Sequence, residues 1–67
     1  MNTTYADIAK HFEQSDKAAL GFRNGIQFRI EKLNDNEFML QFLRDGDWRD
    51  EDYGGLEYIW RQVVRNT

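Results

Sequence analysis

The fold of this chain is decided by residues 26–43, IQFRIEKLNDNEFMLQFL. Apolar and polar residues alternate on both sides of the segment Asn34–Asn36, and this period of two predicts two half-buried strands. Asparagine and aspartate favour turns, so the two strands are predicted to form an antiparallel hairpin. A three-residue loop would place Phe28 opposite Phe42 and Ile30 opposite Leu40, which gathers the apolar side chains on one face.

A second turn follows the hairpin directly. Asp45-Gly46 is a strong two-residue hairpin sequence and predicts a short third strand at about 47–50. This strand would pair Leu43 with Trp48. The second face of the sheet would then carry Met39, Leu43 and Trp48. Through these side chains two copies of the chain could form a homodimer.

Helical patterns flank these strands. Thr4 and Asp7 suit a capping box, and the apolar spacing that follows predicts a helix at about 5–13. Ser15 is a good N-cap for a short second helix through Leu20, which Gly21 could end. The strongest helical pattern predicts a last helix at about 55–65, from apolar residues at positions 56, 59, 60, 63 and 64.

Together these elements predict a single α+β domain over residues 1–67. Its order is an N-terminal helix, a short second helix, a three-stranded antiparallel β-meander and a C-terminal amphipathic helix, or ααβββα. The first and last helices are expected to cover the face of Ile26, Phe28 and Ile30.

Composition restricts the possible functions. The chain has 67 residues, no cysteine and one histidine, His11, so it can form neither a disulfide nor a cysteine-ligated zinc site. We expect no enzyme activity, no cofactor and no metal. The apolar runs are too short to span a membrane and the first residues lack signal-peptide character. These features predict a cytoplasmic protein, in the host cytoplasm if the gene belongs to a phage.

Negative charge is concentrated in the second half of the chain, where residues 34–67 carry eight acidic and four basic side chains. One interpretation is a solvated turn that keeps the protein soluble and blocks edge pairing. The other is an interface in which aromatic anchors bind a partner while carboxylates attract its basic surface, as DNA phosphates would. The candidate partner-binding residues are Asp45, Asp47, Trp48, Asp50, Glu51, Asp52 and Tyr53.

The leading hypothesis is therefore a small acidic protein-binding module without enzyme activity. In its most concrete form it is an inhibitor from a phage or mobile element, with an anti-defence role, that engages a basic, nucleic-acid-binding host protein. A purely structural dimeric module is a further possibility.

An alternative function comes from the N-terminal half. The segment IAKHFEQSDKAALGFRNG, residues 8–25, resembles the helix-turn-helix of small phage repressors and excisionases. That resemblance implies a DNA-binding regulator with a β-wing formed by residues 26–43. Because DNA affinity depends largely on neutralising phosphates, the chain's small positive charge makes nucleic acid the less favoured partner. The contacts would come from Lys10, Lys17, Arg23, Arg29 and Lys32.

Overall fold

The computed structural model describes residues 1–67 and contains two helices and one four-stranded antiparallel sheet. The strands lie side by side in chain order. The predicted α+β class is confirmed, whereas the predictions of a three-stranded sheet and of a second helix were wrong. The elements are α1 (Tyr5–Gln14), β1 (Ala19–Arg23), β2 (Ile26–Asn34), β3 (Glu37–Arg44), β4 (Asp47–Gly54) and α2 (Leu56–Asn66).

The central hairpin has the predicted register. Phe28 lies opposite Phe42 and Ile30 opposite Leu40, and all four side chains are fully buried. The predicted loop at residues 34–36 is slightly longer than the turn observed, because Asn34 pairs with Glu37 after an irregularity. Apolar alternation in two adjacent strands therefore determined both the pairing and the buried face.

The predicted second helix is replaced by β1. Residues 19–23 pair with β2, and Ala19 is buried opposite Ile30. The cause is the turn Asn24-Gly25, whose φ angles of 51° and 85° are those of a tight type I′ hairpin. This local turn preference, together with burial of Ala19 in the sheet, outweighs the weak helical pattern of a five-residue segment.

The last strand is longer than predicted. Instead of ending near residue 50, β4 continues through Tyr53 to Gly54, so the predicted connection is itself part of the sheet. Pairing passes a bulge, where Gln41 lies opposite Asp50 and Leu40 opposite Asp52, leaving Glu51 as the extra residue. After the bulge, β4 continues to pair with the first residues of β3, so the backbone groups of that part of β3 have hydrogen-bond partners.

Both helices pack on one face of the sheet. Ile8 of α1 and Ile59 and Val63 of α2 are buried against the apolar side chains of the strands. The predicted capping box of α1 is present, since Thr4 Oγ1 accepts from Asp7 N at 3.2 Å and Asp7 Oδ2 from Thr4 N at 2.9 Å. Neither helix has the length and apolarity needed to cross a membrane. The architecture therefore leaves the opposite face of the sheet without a covering layer.

Candidate functional site: an open sheet face beside an acidic edge strand

One whole face of the sheet has no helix over it, because α1 and α2 cover the other. We call it the open face. Strand alternation from the buried residues Phe28 and Phe42 places on it Leu20, Phe22, Gln27, Arg29, Glu31, Met39, Gln41, Leu43, Trp48, Asp50 and Tyr53. The face thus combines large apolar side chains with a few charged ones, as protein-binding surfaces do.

Apolar side chains dominate the end of the open face nearest the two tight turns. Phe22 pairs with Gln27 on one side and Leu43 with Trp48 on the other, which forms a row across all four strands. A shallow depression of about 370 Å³ lies here and is lined partly by Leu20, Phe22, Gln27 and Trp48. The indole of Trp48 is 36% exposed. This end could receive an apolar side chain of a partner.

A hydrogen-bond network orders the acidic side of the open face. Asp50 Oδ1 accepts from Gln41 Nε2 at 2.8 Å, and Asp50 Oδ2 accepts from the Tyr53 hydroxyl at 3.1 Å. The hydroxyl bond to Asp50 raises the pKa of Tyr53. Because both oxygens of Asp50 are engaged, Tyr53 and Asp50 are held beside each other while Tyr53 remains 48% exposed. An aromatic ring and a carboxylate therefore face solvent together.

The structure separates the seven predicted partner-binding residues into groups. Trp48, Asp50 and Tyr53 lie together on the open face. Asp47 and Asp52 lie on the helix side of β4. The other two carry no strand pairing that would orient them, since Asp45 occupies the β3–β4 turn with a φ of 53° and Glu51 is the bulge residue.

The carboxylates of this strand form no ion pair, although Arg49 lies among them on β4 and Arg44 is opposite Asp47 in the ladder. The two ion pairs in the molecule join Lys32 to Asp16 and to Asp35, at the other end of the sheet. The five carboxylates Asp45, Asp47, Asp50, Glu51 and Asp52 outnumber these two arginines, so the segment is negative overall. An excess of negative charge raises the local concentration of oppositely charged groups.

Asp52 has a structural function that its neighbours lack. Its Oδ2 accepts from the Tyr58 hydroxyl of α2 at 2.6 Å, and its Oδ1 accepts from the Tyr53 backbone N–H at 2.8 Å. The Tyr58 hydroxyl, followed by the Tyr53 N–H, holds the pKa of the Asp52 carboxyl below its ordinary value. In return, the bond to Asp52 raises the pKa of Tyr58. Asp52 thus ties β4 to α2.

Tyr58→Phe should raise the pKa of Asp52, because it removes the strongest donor to that carboxylate. A lowered pKa stabilises the fold above the aspartate pKa of the unfolded chain, about 3.9. That contribution is lost as the pH falls through the folded pKa. Carbon-13 NMR of the side-chain carboxyls between pH 6 and 2 measures the shift directly. In Tyr53→Phe the backbone N–H remains, so the pKa of Asp52 should not move; equal shifts in both variants would contradict the assignment.

The five basic residues of the alternative DNA-binding prediction do not share one surface. Lys10 lies on α1, and Lys17 lies in the segment that precedes β1. Arg23 donates to Thr67 Oγ1 at 2.9 Å, and Lys32 donates to Asp16 at 2.9 Å. Arg29 is on the open face. The helix-turn-helix prediction was wrong, because residues 15–20 lead into β1 and form no second helix.

The predicted dimer residues Met39, Leu43 and Trp48 do lie together on the open face. Leu20 and Phe22 extend the same face and were not predicted, because their segment was assigned to a helix. The dipeptide Asn24-Gly25 could have identified them, since it is a strong hairpin sequence that implies a strand before it.

No three or more histidine, aspartate and glutamate side chains converge in the way a metal site would require. The single histidine ties α1 to the segment after it, since His11 Nε2 lies 2.7 Å from the Lys17 carbonyl oxygen and donates to it.

Comparison of the chain with protein-family models, with curated proteins and with solved structures finds no match.

Proposed function

We propose that this protein is a non-enzymatic binding module that engages a basic surface of another protein. Its binding surface consists of β4 and the adjacent open face. In the most concrete form of the proposal, the partner is a nucleic-acid-binding host protein and this chain is an inhibitor encoded by a phage or mobile element.

The observation that carries the proposal is the placement of two exposed aromatic rings among carboxylates that form no ion pair. Trp48 and Tyr53 face solvent on the strand that also holds Asp47, Asp50 and Glu51. Tryptophan and tyrosine supply much of the binding free energy in protein interfaces, while charges set the rate of encounter and the orientation of the partner. The combination suits a partner with an apolar recess surrounded by lysine and arginine.

The nucleic-acid-binding class of partner follows from charge complementarity. Proteins that bind DNA or RNA carry basic surfaces that neutralise phosphates. A strand of carboxylates can occupy such a surface and exclude the nucleic acid. The same negative charge would repel nucleic acid from this chain itself.

The triple variant Asp47→Asn, Asp50→Asn and Glu51→Gln should slow association with the partner about tenfold at low salt, because steering depends on charge near the interface. Asp52 stays unchanged, which preserves its bond to Tyr58. The chain is used as bait in an extract of its host cells, and the recovered protein is identified, purified and tested for nucleic-acid binding. Stopped-flow kinetics at several salt concentrations then give the association rate.

A matched control removes three carboxylates away from β4 and the open face: Glu13→Gln, Asp35→Asn and Glu57→Gln. Both variants have a formal net charge of zero, starting from −3, so they differ only in where charge was removed. The control should keep most of the association rate and its salt dependence. Equal rates in the two variants, or recovery only of proteins that bind no nucleic acid, would refute the proposal.

A further inference from the structure

We infer that the partner is bound as an additional β-strand: an extended basic segment pairs antiparallel with the free edge of β4. This inference rests on the proposed function and specifies the mode of binding. In such complexes, main-chain hydrogen bonds supply affinity and the alternating side chains supply specificity.

The two edges of the sheet differ in how much of them the chain itself already covers. At β1, Thr3 N donates to Phe22 O at 2.8 Å, and Phe22 N donates to Thr3 Oγ1 at 3.0 Å. Asn24 N donates to Asn2 Oδ1 at 3.0 Å, so the N-terminal segment covers this edge from Phe22 to the turn and leaves only the start of β1, at Leu20, uncovered. At β4, no strand or terminal segment pairs with the outer side. The free edge is therefore the acidic one.

The outward-facing groups of β4 can be located by comparing the two tight turns. Asn24-Gly25 and Asp45-Gly46 have the same conformation, with φ angles of 51° and 85° in one and 53° and 81° in the other. Phe22, two residues before the first turn, directs its N–H and C=O to the sheet edge. Trp48, two residues after the second turn, has the equivalent position, so its N–H and C=O also point to the sheet edge. Because this direction alternates along an antiparallel strand, the N–H and C=O of Asp50 point to the edge as well.

The free segment is short and has a defined end. Beyond the bulge at Glu51, the N–H of Tyr53 already donates to the Asp52 carboxylate. The outward N–H groups open to a partner therefore belong to Trp48 and Asp50, and a strand of about five or six residues would cover them.

Charge determines which strand can occupy this edge. Carboxylates lie on both faces of β4, with Asp47 on the helix side and Asp50 on the open face, and they outnumber the strand's single cation, Arg49. A strand with lysine or arginine on both of its faces would place a cation opposite each carboxylate, and opposite charges across a strand pair are stabilising. A second copy of β4 would instead bring two strands of net negative charge together. The occupant is therefore a basic segment of another protein.

The test uses two synthetic peptides of equal length and charge. One contains consecutive lysine pairs separated by single valine or threonine residues, which favours a strand with lysine on both faces; the other has proline in place of valine and threonine, and proline cannot donate the backbone hydrogen bonds of a strand. Each is titrated into the nitrogen-15-labelled protein at low salt, and amide hydrogen exchange is followed by NMR. The strand-forming peptide should slow exchange of the Trp48 and Asp50 amides at least tenfold, whereas the proline peptide should not.

Chemical synthesis of the chain allows a matched control that keeps every side chain. N-methylation of Asp50 removes an outward N–H on β4, while N-methylation of Leu20 removes the equivalent group at the opposite edge. Affinity for the strand-forming peptide should fall at least tenfold in the first and less than twofold in the second. The unfolding midpoint of each protein shows whether the sheet is intact.

Three results would overturn the inference. If both peptides bind equally without protecting Trp48 and Asp50, charge alone attracts them, and the proposed function survives without the added strand. If neither peptide binds, the acidic residues of β4 serve only to prevent other strands from pairing with this edge. If both amides are protected in the free protein and it sediments as a dimer, a second copy occupies the edge.

Discussion

Gly21→Ala is expected to destabilise the fold by about 3 kcal/mol, because it forces a methyl group into an occupied position. The ring of Phe28 lies across Gly21 on the neighbouring strand. A Cβ atom at residue 21 would approach Phe28 Cε2 to 2.6 Å. The ring is fully buried within the core, so it cannot move aside without disturbing its neighbours. Urea unfolding followed by far-UV circular dichroism measures the loss.

The control for this substitution is Gly55→Ala. Gly55 precedes α2 with a φ of −65°, and nothing lies within 4 Å of its potential Cβ atom. Its stability should change by less than about 1 kcal/mol. Phe28→Leu provides a second check, since a smaller side chain should reduce the cost of Gly21→Ala. A cost that stays the same in that background would show that Phe28 is not the cause.

Gly21 also shows why β1 could not be predicted. A glycine after a short apolar segment is a common helix end, and that local pattern favoured a helix through Leu20. The strand forms because Phe28 and Ile30 of β2 need neighbours on their side of the sheet, and Gly21 and Ala19 are small enough to fit there. This requirement comes from tertiary packing and is not contained in the local pattern.

The central hairpin and α2 were predictable because their apolar patterns are long and agree with the local turn and helix signals. Apolar alternation and turn length gave the same register for Phe28 and Phe42, and five apolar positions gave one face of α2. At the candidate site, Trp48, Asp50 and Tyr53 could be selected from the sequence as candidates, but their arrangement could not be predicted. A run of carboxylates is atypical of a strand, and the bulge at Glu51 that restores the pairing has no local sequence pattern.

Ile59→Ala is expected to cost about 4 kcal/mol and to leave a large fraction of the chain unfolded at 25 °C. Ile59 is completely buried where α2 packs on the sheet. A domain of this size has a total stability of about 3 to 10 kcal/mol, and only nine of its residues are buried. Removing three carbon atoms from so small a core leaves a cavity that the remaining side chains cannot fill. The measurement is again urea unfolding.

Val64→Ala is the matched control for Ile59→Ala, because it truncates a β-branched residue of the same helix that is 43% exposed. Its stability should change by less than about 0.5 kcal/mol. An equal loss in both variants would mean that burial of Ile59 does not determine the effect; helix propensity could not explain the loss, because alanine is a better helix former than isoleucine or valine. The contrast also bears on function. Since the fully buried side chains lie between the helices and the sheet, the open face contributes less to stability. Substitutions at Asp47 or Asp50 can then weaken partner binding while the unfolding midpoint stays nearly constant, so binding and folding can be measured separately in the same protein.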